Sequence, residues 1–168
     1  MYFKVIQQCT RTLSYVEIML DKAERHAAET QIDVELLITR SLAPDMKNFI
    51  YQVQSACDYL KGGAAWLSGQ VPPKHPDTEK TVDEIRARIR KTVEFAESVP
   101  EAQFADAAAQ KVKIGWARGK IMSGEDYLLQ MIIPNVFFHV AMAYAILRNN
   151  GVDVGKMDFL GTINFIES

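Results

Sequence analysis

Few side chains in this sequence combine reactive chemistry with a setting that could hold a site. The two best placed are Asn135 and His139. They stand four residues apart in the run 123–151, SGEDYLLQMIIPNVFFHVAMAYAILRNNG, which is otherwise almost wholly apolar. Residues i and i+4 share a helical face, so both side chains project together from one long helix. Polar groups buried in such a helix need partners, and an imidazole can also exchange a proton or bind a metal near neutral pH. The plainest reading of His139 is a buried histidine bonded to Asn135 or to a neighbouring tyrosine. The alternatives are a pocket histidine that binds a ligand or moves a proton, and a metal ligand. Asn135 directly follows Pro134, so its amide can serve backbone carbonyls that the proline leaves free.

Other chemistry-bearing residues have simpler roles. Glu125 and Asp126 fall in the first turn of the same helix, where the helix dipole favours negative charge. Tyr127, Phe137, Phe138 and Tyr144 recur at helical spacing, as core or subunit contacts do. Trp66 and Trp116 could line a pocket mouth. No nucleophile elbow, phosphate-cradling glycine loop or spaced Cys–His pair is present, so no catalytic residue is assigned.

Composition narrows the function classes. The chain has 168 residues, 48% of them hydrophobic and 24% charged, as in an ordinary globular domain. That length suits a single domain over 1–168, burying roughly two thirds of its unfolded surface. A net charge of −2 leaves no electrostatic footprint for nucleic acid. The one basic cluster, Arg86, Arg88, Arg90 and Lys91, is interleaved with Glu84, Glu94 and Glu97 and reads as a solvated helix face. Cys9 and Cys57 fall at apolar phases of expected helices, which points to buried, reduced thiols and a cytoplasmic location. The run 127–147 is long enough to raise a membrane-spanning reading. Gln130, Pro134, Asn135 and His139 in its middle, and unmarked flanks, argue against a membrane partner.

Periodicity supplies the elements that position these residues. Ile6, Cys9, Leu13, Val16, Leu20, Ala23 and Ala27 form one seam, predicting a first helix over 3–29. A link follows, with one extra helical turn at 34–39. Pro44 fits the first turn of a second helix over 44–69, whose seam is Phe49, Val53, Ala56, Leu60, Ala64 and Leu67. Gly62 and Gly63 either weaken its last turns or mark close helix packing. Three prolines make 71–77 a loop. Thr81 and Glu84 have capping-box spacing, and Val82, Ile85, Ile89, Val93 and Ala96 give a third helix over 79–98. Between 111 and 122 the pattern alternates and turns at Ala117-Arg118-Gly119, as in a small hairpin. A fourth helix over 123–150, apolar all round, belongs at the centre of a bundle, and Gly151 stops it. The tail 152–168 has apolar residues without period and should lie along the bundle.

Four helices, a hairpin before the last, and the run PNVFFHVAMAYAILRNNGV resemble the DinB/YfiT-like superfamily. LAPDM at 42–46, QVQSACD at 52–58, GEDYLLQ at 124–130, AYAILRNNGV at 143–152 and GKMDFLG at 155–161 resemble one branch of it, a domain of unknown function. The resemblance implies an all-α, DinB-like four-helix bundle in up-down-down-up order, with a β-hairpin before the last helix. It also implies frequent homodimers. Metal-holding members use three histidines, one on the second helix and an H-x3-H pair on the fourth, the second of them twelve residues before the terminating glycine. His139 has that spacing from Gly151, which puts Asn135 at the first position of the pair and the third position in QVQSACD, where no histidine occurs. On the helical phase Gln52 sits at the border of the apolar face and Asp58 points away. His26 and His75 are not placed to complete a triad.

Three imidazoles and a water make a good open site for zinc, nickel or iron, whereas one imidazole with two carboxamides makes a poor one. The expectation is therefore a ligand pocket of His139, Asn135 and Gln52 with no metal and no cofactor. The protein would be a small-molecule-binding or interaction protein that pairs with itself. The rival expectation, by superfamily analogy, is a metal-dependent transferase or hydrolase acting on a small thiol or related substrate.

Overall fold

The computed structural model of the chain describes residues 1–166, so the last two residues of the expected domain 1–168 lie outside it. Helices α1 (Tyr2–Ser14) and α2 (Val16–Thr30) are separated only by Tyr15. The single helix expected over 3–29 is therefore two. The hydroxyls of Thr10, Thr12 and Ser14 donate to the carbonyls of Ile6, Gln8 and Arg11, and such back-bonding bends helices. After α3 (Val34–Ile38), helix α4 spans Phe49–Leu67. It begins later than Pro44 because the Asn48 side chain accepts from the Tyr51 N–H and sets the cap there. Pro44 instead sits in the preceding turn, which closes from the Met46 N–H to the Ala43 carbonyl.

Helix α5 (Val82–Ser98) starts at the expected capping box of Thr81 and Glu84. Two short 3-10 turns lead to the hairpin of β1 (Lys111–Lys113) and β2 (Ile121–Ser123), antiparallel with Val112 opposite Met122. Arg118 and Gly119 turn the chain with φ of 30° and 76°. The last long helix, Gly124–Asn149, has three parts: α6 (Gly124–Asp126), a π-helical stretch Tyr127–Ile132, and α7 (Ile133–Asn149). The π winding runs into Pro134, which has no N–H for the ladder and whose ring crowds the turn before it. At the other end the Val152 and Gly151 N–H groups bond the carbonyls of Leu147 and Arg148, a Schellman close with Gly151 at φ 90°.

Side-chain pairs fix the helix directions. Gln54 meets Glu79, just before α5, and the start of α5 bonds the Glu35 carboxylate of α3, so α4 and α5 run parallel. Arg90 pairs with Glu17, and Arg86, earlier in α5, reaches Glu24, so α5 runs against α2. Gln52 meets His139 near one end of the α4–α7 seam and Gly62 meets Tyr127 near the other, so these two are antiparallel. The order is up-down-down-up, and segment 68–81 is the long crossover. The tail forms α8 (Lys156–Leu160) and crosses the α1–α2 junction, where the Tyr15 hydroxyl accepts from Arg11 and from the Thr162 N–H.

Two sequence expectations are corrected by packing. Arg86 and Arg88 are buried, not part of a solvated face. They flank the α5 seam on opposite sides. Arg86 reaches Asp21 at 2.7 Å and Glu24 at 2.8 Å, whereas Arg88 reaches Asp58 at 2.9 Å, Asp77 at 2.8 Å and Glu79 at 3.1 Å. The last helix is not central either. Leu128, Ile132, Val136, Val140 and Ala143 are buried along one stripe, while Leu129 and Phe138 on other faces remain about half exposed at 52% and 51%. A four-helix bundle has no central position to give it. By length and composition this helix could cross a membrane, but its buried stripe is committed to the bundle core.

The α4–α7 seam is close-packed at Gly63. A Cβ there would lie 3.0 Å from Ile132 Cγ2 and 3.2 Å from Ile6 Cδ1, and both isoleucines are buried. Gly63→Leu is expected to cost roughly 3 kcal/mol in urea unfolding through overpacking. Gly115→Ala, where nothing lies within 4 Å, should stay within about 0.5 kcal/mol of the parent. Equal stability of the two variants would show that the seam is looser than described.

Candidate functional site

Antiparallel packing puts Gln52, in the first turn of α4, opposite His139, in the second turn of α7. The His139 Nδ1 lies 2.7 Å from Gln52 Oε1. The same carboxamide donates its Nε2–H to the Lys47 carbonyl at 3.0 Å, which turns its oxygen toward the ring. An amide oxygen only accepts, so Nδ1 carries the proton and Nε2 keeps its lone pair. Gln52 thus acts on His139 as outer groups act on metal-bound histidines, fixing tautomer and orientation. It is buried at 3% exposure, not at a border as its helical phase suggests.

Three aromatic rings enclose the imidazole. Tyr59 stacks on it at 5.9 Å, while Tyr51 at 6.3 Å and Phe138 at 5.2 Å meet it edge-on. The Lys47 ammonium lies 5.4 Å above the Tyr51 ring. Burial lowers the His139 pKa below the ordinary histidine value, so the ring is neutral at physiological pH. A neutral, oriented imidazole with a free Nε2 can accept a hydrogen bond or a proton.

Asn135 does not join this pair by hydrogen bonding. Its amide donates to the Met131 carbonyl at 2.7 Å, within the π-wound turn that Pro134 disturbs. The expected His139 partner, Asn135 or a tyrosine hydroxyl, is instead Gln52. Among the described residues no group of three or more His, Cys, Asp and Glu side chains could hold a metal ion. His139, Asn135 and Gln52 offer one imidazole and two carboxamides, and the Gln52 oxygen is already spent on His139 Nδ1, so these side chains do not fit a three-imidazole site. His75 lies in the crossover loop, with both ring nitrogens buried and unpartnered. Burial, then Lys61, Lys91 and Arg88, lower its pKa. Both thiols are buried, which pushes Cys9 and Cys57 up to about 12 and leaves them inert.

A cleft of about 280 Å³ opens farther along the α4–α7 groove, between Trp66, Tyr127 and the hairpin residues Lys113 and Trp116. Tyr59 lines it as well, so one ring borders both the imidazole and the cleft. The sequence reading did not single out Tyr51 or Tyr59. A signal existed: Gln52, Tyr59, Gly62 and Trp66 stand seven, three and four residues apart, which is one helical face.

The oriented tautomer has two measurable consequences. In ring-nitrogen NMR, His139 should be predominantly Nδ1–H, and that fraction should fall in Gln52→Leu. Its titration midpoint should lie below 6.5, the unperturbed value. A lowered histidine pKa stabilises the fold fully above that value, and the contribution is lost as pH falls below it. His75 acts in the same direction. Urea stability should therefore drop on going below pH 6.5, and His139→Gln should flatten part of that slope. A midpoint above 6.5 would contradict this description of the site.

Comparison with known proteins agrees with the fold. No curated protein matches the chain. The crystal structure of a DinB family member protein from Shewanella denitrificans superposes with a TM-score of 0.94, at 38% identity, over 99% of this chain and 95% of that one. The sequence also matches the domain of unknown function DUF1993 over residues 1–160. Four helices in up-down-down-up order, a hairpin ahead of the last, and these two matches place the chain in the DUF1993 family, with a DinB-like fold.

Proposed function

We propose that this protein is a small-molecule-binding member of its family whose three-ligand metal site is incomplete. The observation that carries the reading is the Gln52–His139 pair. A buried carboxamide spends its oxygen on holding one ring nitrogen and its N–H on the Lys47 carbonyl, which leaves the other ring nitrogen free for a ligand. The aromatic rings around the imidazole give that ligand an apolar surface, and Tyr51 and Phe138 are partly open to solvent. Transferase or hydrolase chemistry of the kind known for metal-holding relatives would need ligands that Asn135 and Gln52 do not supply.

Purified protein is expected to contain well under one equivalent of zinc, nickel or iron by elemental analysis, with no change in His139→Ala. A screen of small ring-bearing fragments, read on the His139 Nε2 resonance, should find binders. Stoichiometric metal that disappears in His139→Ala would overturn this reading in favour of the enzyme. An Nε2 resonance that no fragment moves would overturn it in favour of a scaffold.

The same reading includes a second copy as partner and a cytoplasmic location. No charged side chain occurs between Asp126 and Arg148, and Leu129, Ile133 and Phe138 lie outside the buried stripe. An uncharged apolar face is self-complementary, as a two-fold interface requires. Two buried, unpaired thiols suit a reducing compartment. Light scattering should give twice the 18.9 kDa chain mass. Leu129→Glu should shift the protein toward the monomer, and a monomeric parent at micromolar concentration would end the dimer proposal.

A further inference from the structure

The cleft between Trp66, Tyr127 and the hairpin has a chemistry of its own. Tyr127 is 8% exposed, and burial together with the nearby Tyr59 phenol pushes its hydroxyl up to about 12, so it stays protonated. Among the described residues this hydroxyl has no hydrogen-bond partner. It rests over Gly62, 3.0 Å from where a Cβ would stand, in a gap that any side chain at 62 would fill. The hydroxyl opens onto the cleft, so its O–H is free to donate to a ligand there.

The other polar groups of the cleft are mostly donors. Lys113 enters from β1, Tyr59 brings a second phenol, and both indoles carry N–H groups. The one carboxylate, Asp58, is already held by Lys61 at 2.7 Å and by Arg88 at 2.9 Å. A surplus of donors with a satisfied acceptor selects an anion. The walls select shape. Trp116 stands 77% exposed on the hairpin turn, and Trp66 faces the same cleft, so two indole surfaces are available to a flat ring. The volume, about 280 Å³, suits one or two fused rings.

We propose that this cleft binds a small, flat aromatic carboxylate, with its ring against Trp66 and Trp116 and its carboxylate toward Lys113 and the Tyr127 hydroxyl. The site borders His139 through Tyr59 but draws its affinity from other groups, so it stands or falls independently of the His139 reading.

The sequence has two tryptophans, and both line the cleft, so the two indole N–H signals in a nitrogen–proton correlation spectrum report on it alone. Adding 2-naphthoate should move both signals saturably, with a dissociation constant below about 1 mM. The neutral isostere 2-naphthylmethanol should bind about tenfold more weakly, and Tyr127→Phe and Lys113→Met should each weaken naphthoate about tenfold. Well-dispersed spectra would confirm that the variants are folded. Indole signals unmoved by naphthoate, an alcohol that binds as tightly as the acid, or two variants that bind like the parent would each overturn the proposal. None of these outcomes bears on the His139 Nε2 resonance, which reads the other site.

Discussion

The absence of side chains at two successive positions of α4 sets how close the last helix can come. Gly63 admits Ile132 and Ile6 to the core, and Gly62 admits the Tyr127 hydroxyl beside it. Each glycine costs a helix interior roughly 1 kcal/mol relative to alanine, and here close packing offsets it. The same approach that buries Ile132 brings Gln52 and His139 to hydrogen-bond distance two to three turns away. Tyr59 and Met131, between the two ends, belong to the cleft. Core, imidazole site and cleft are therefore parts of one seam, and widening it at the glycines would loosen all three.

Pro134 acts on that seam from the other helix. Lacking an N–H, it cannot continue the α-helical ladder, and the turns before it wind as a π-helix. Wider winding changes the phase of the side chains, so Tyr127 and Leu128 are buried while Leu129 is left outward. Asn135 is used to satisfy the carbonyl of Met131 in this disturbed turn. With one Asn135 N–H given to Met131 and His139 Nδ1 given to Gln52, the two polar residues on one helical face do not form a pair.

The charged residues of α5 hold the frame around this seam. Arg88 joins α4 to the crossover loop through Asp58, Asp77 and Glu79, and Arg86 joins α5 to α2. Buried guanidinium groups with several carboxylate partners are costly to strip of them, so the parallel placement of α4 and α5 is tied at fixed points rather than left to apolar packing. Arg88 also occupies Asp58, which removes the cleft's one carboxylate from competition and leaves its donors to a ligand.

Local patterning alone determined where the long helical segments lie, though not the break at Tyr15 or the late start at Phe49, together with the hairpin at 111–122, the capping box of Thr81 and Glu84, and the stop at Gly151. These depend on contacts within a few residues, and a 3.6-residue or two-residue period reports them directly. The resemblance carried by PNVFFHVAMAYAILRNNGV supplied the bundle order and the three ligand positions. Tertiary structure decided the rest. Whether Arg86 and Arg88 are solvated depends on carboxylates on α2, α4 and the crossover loop, which no local period reveals. The partner of His139 depends on the register of α4 against α7, so a residue 87 positions away took the place of one four positions away. Gln52 could be placed near the apolar face by its phase. That its oxygen faces the imidazole follows only from the Lys47 carbonyl, which the fold sets beside its nitrogen.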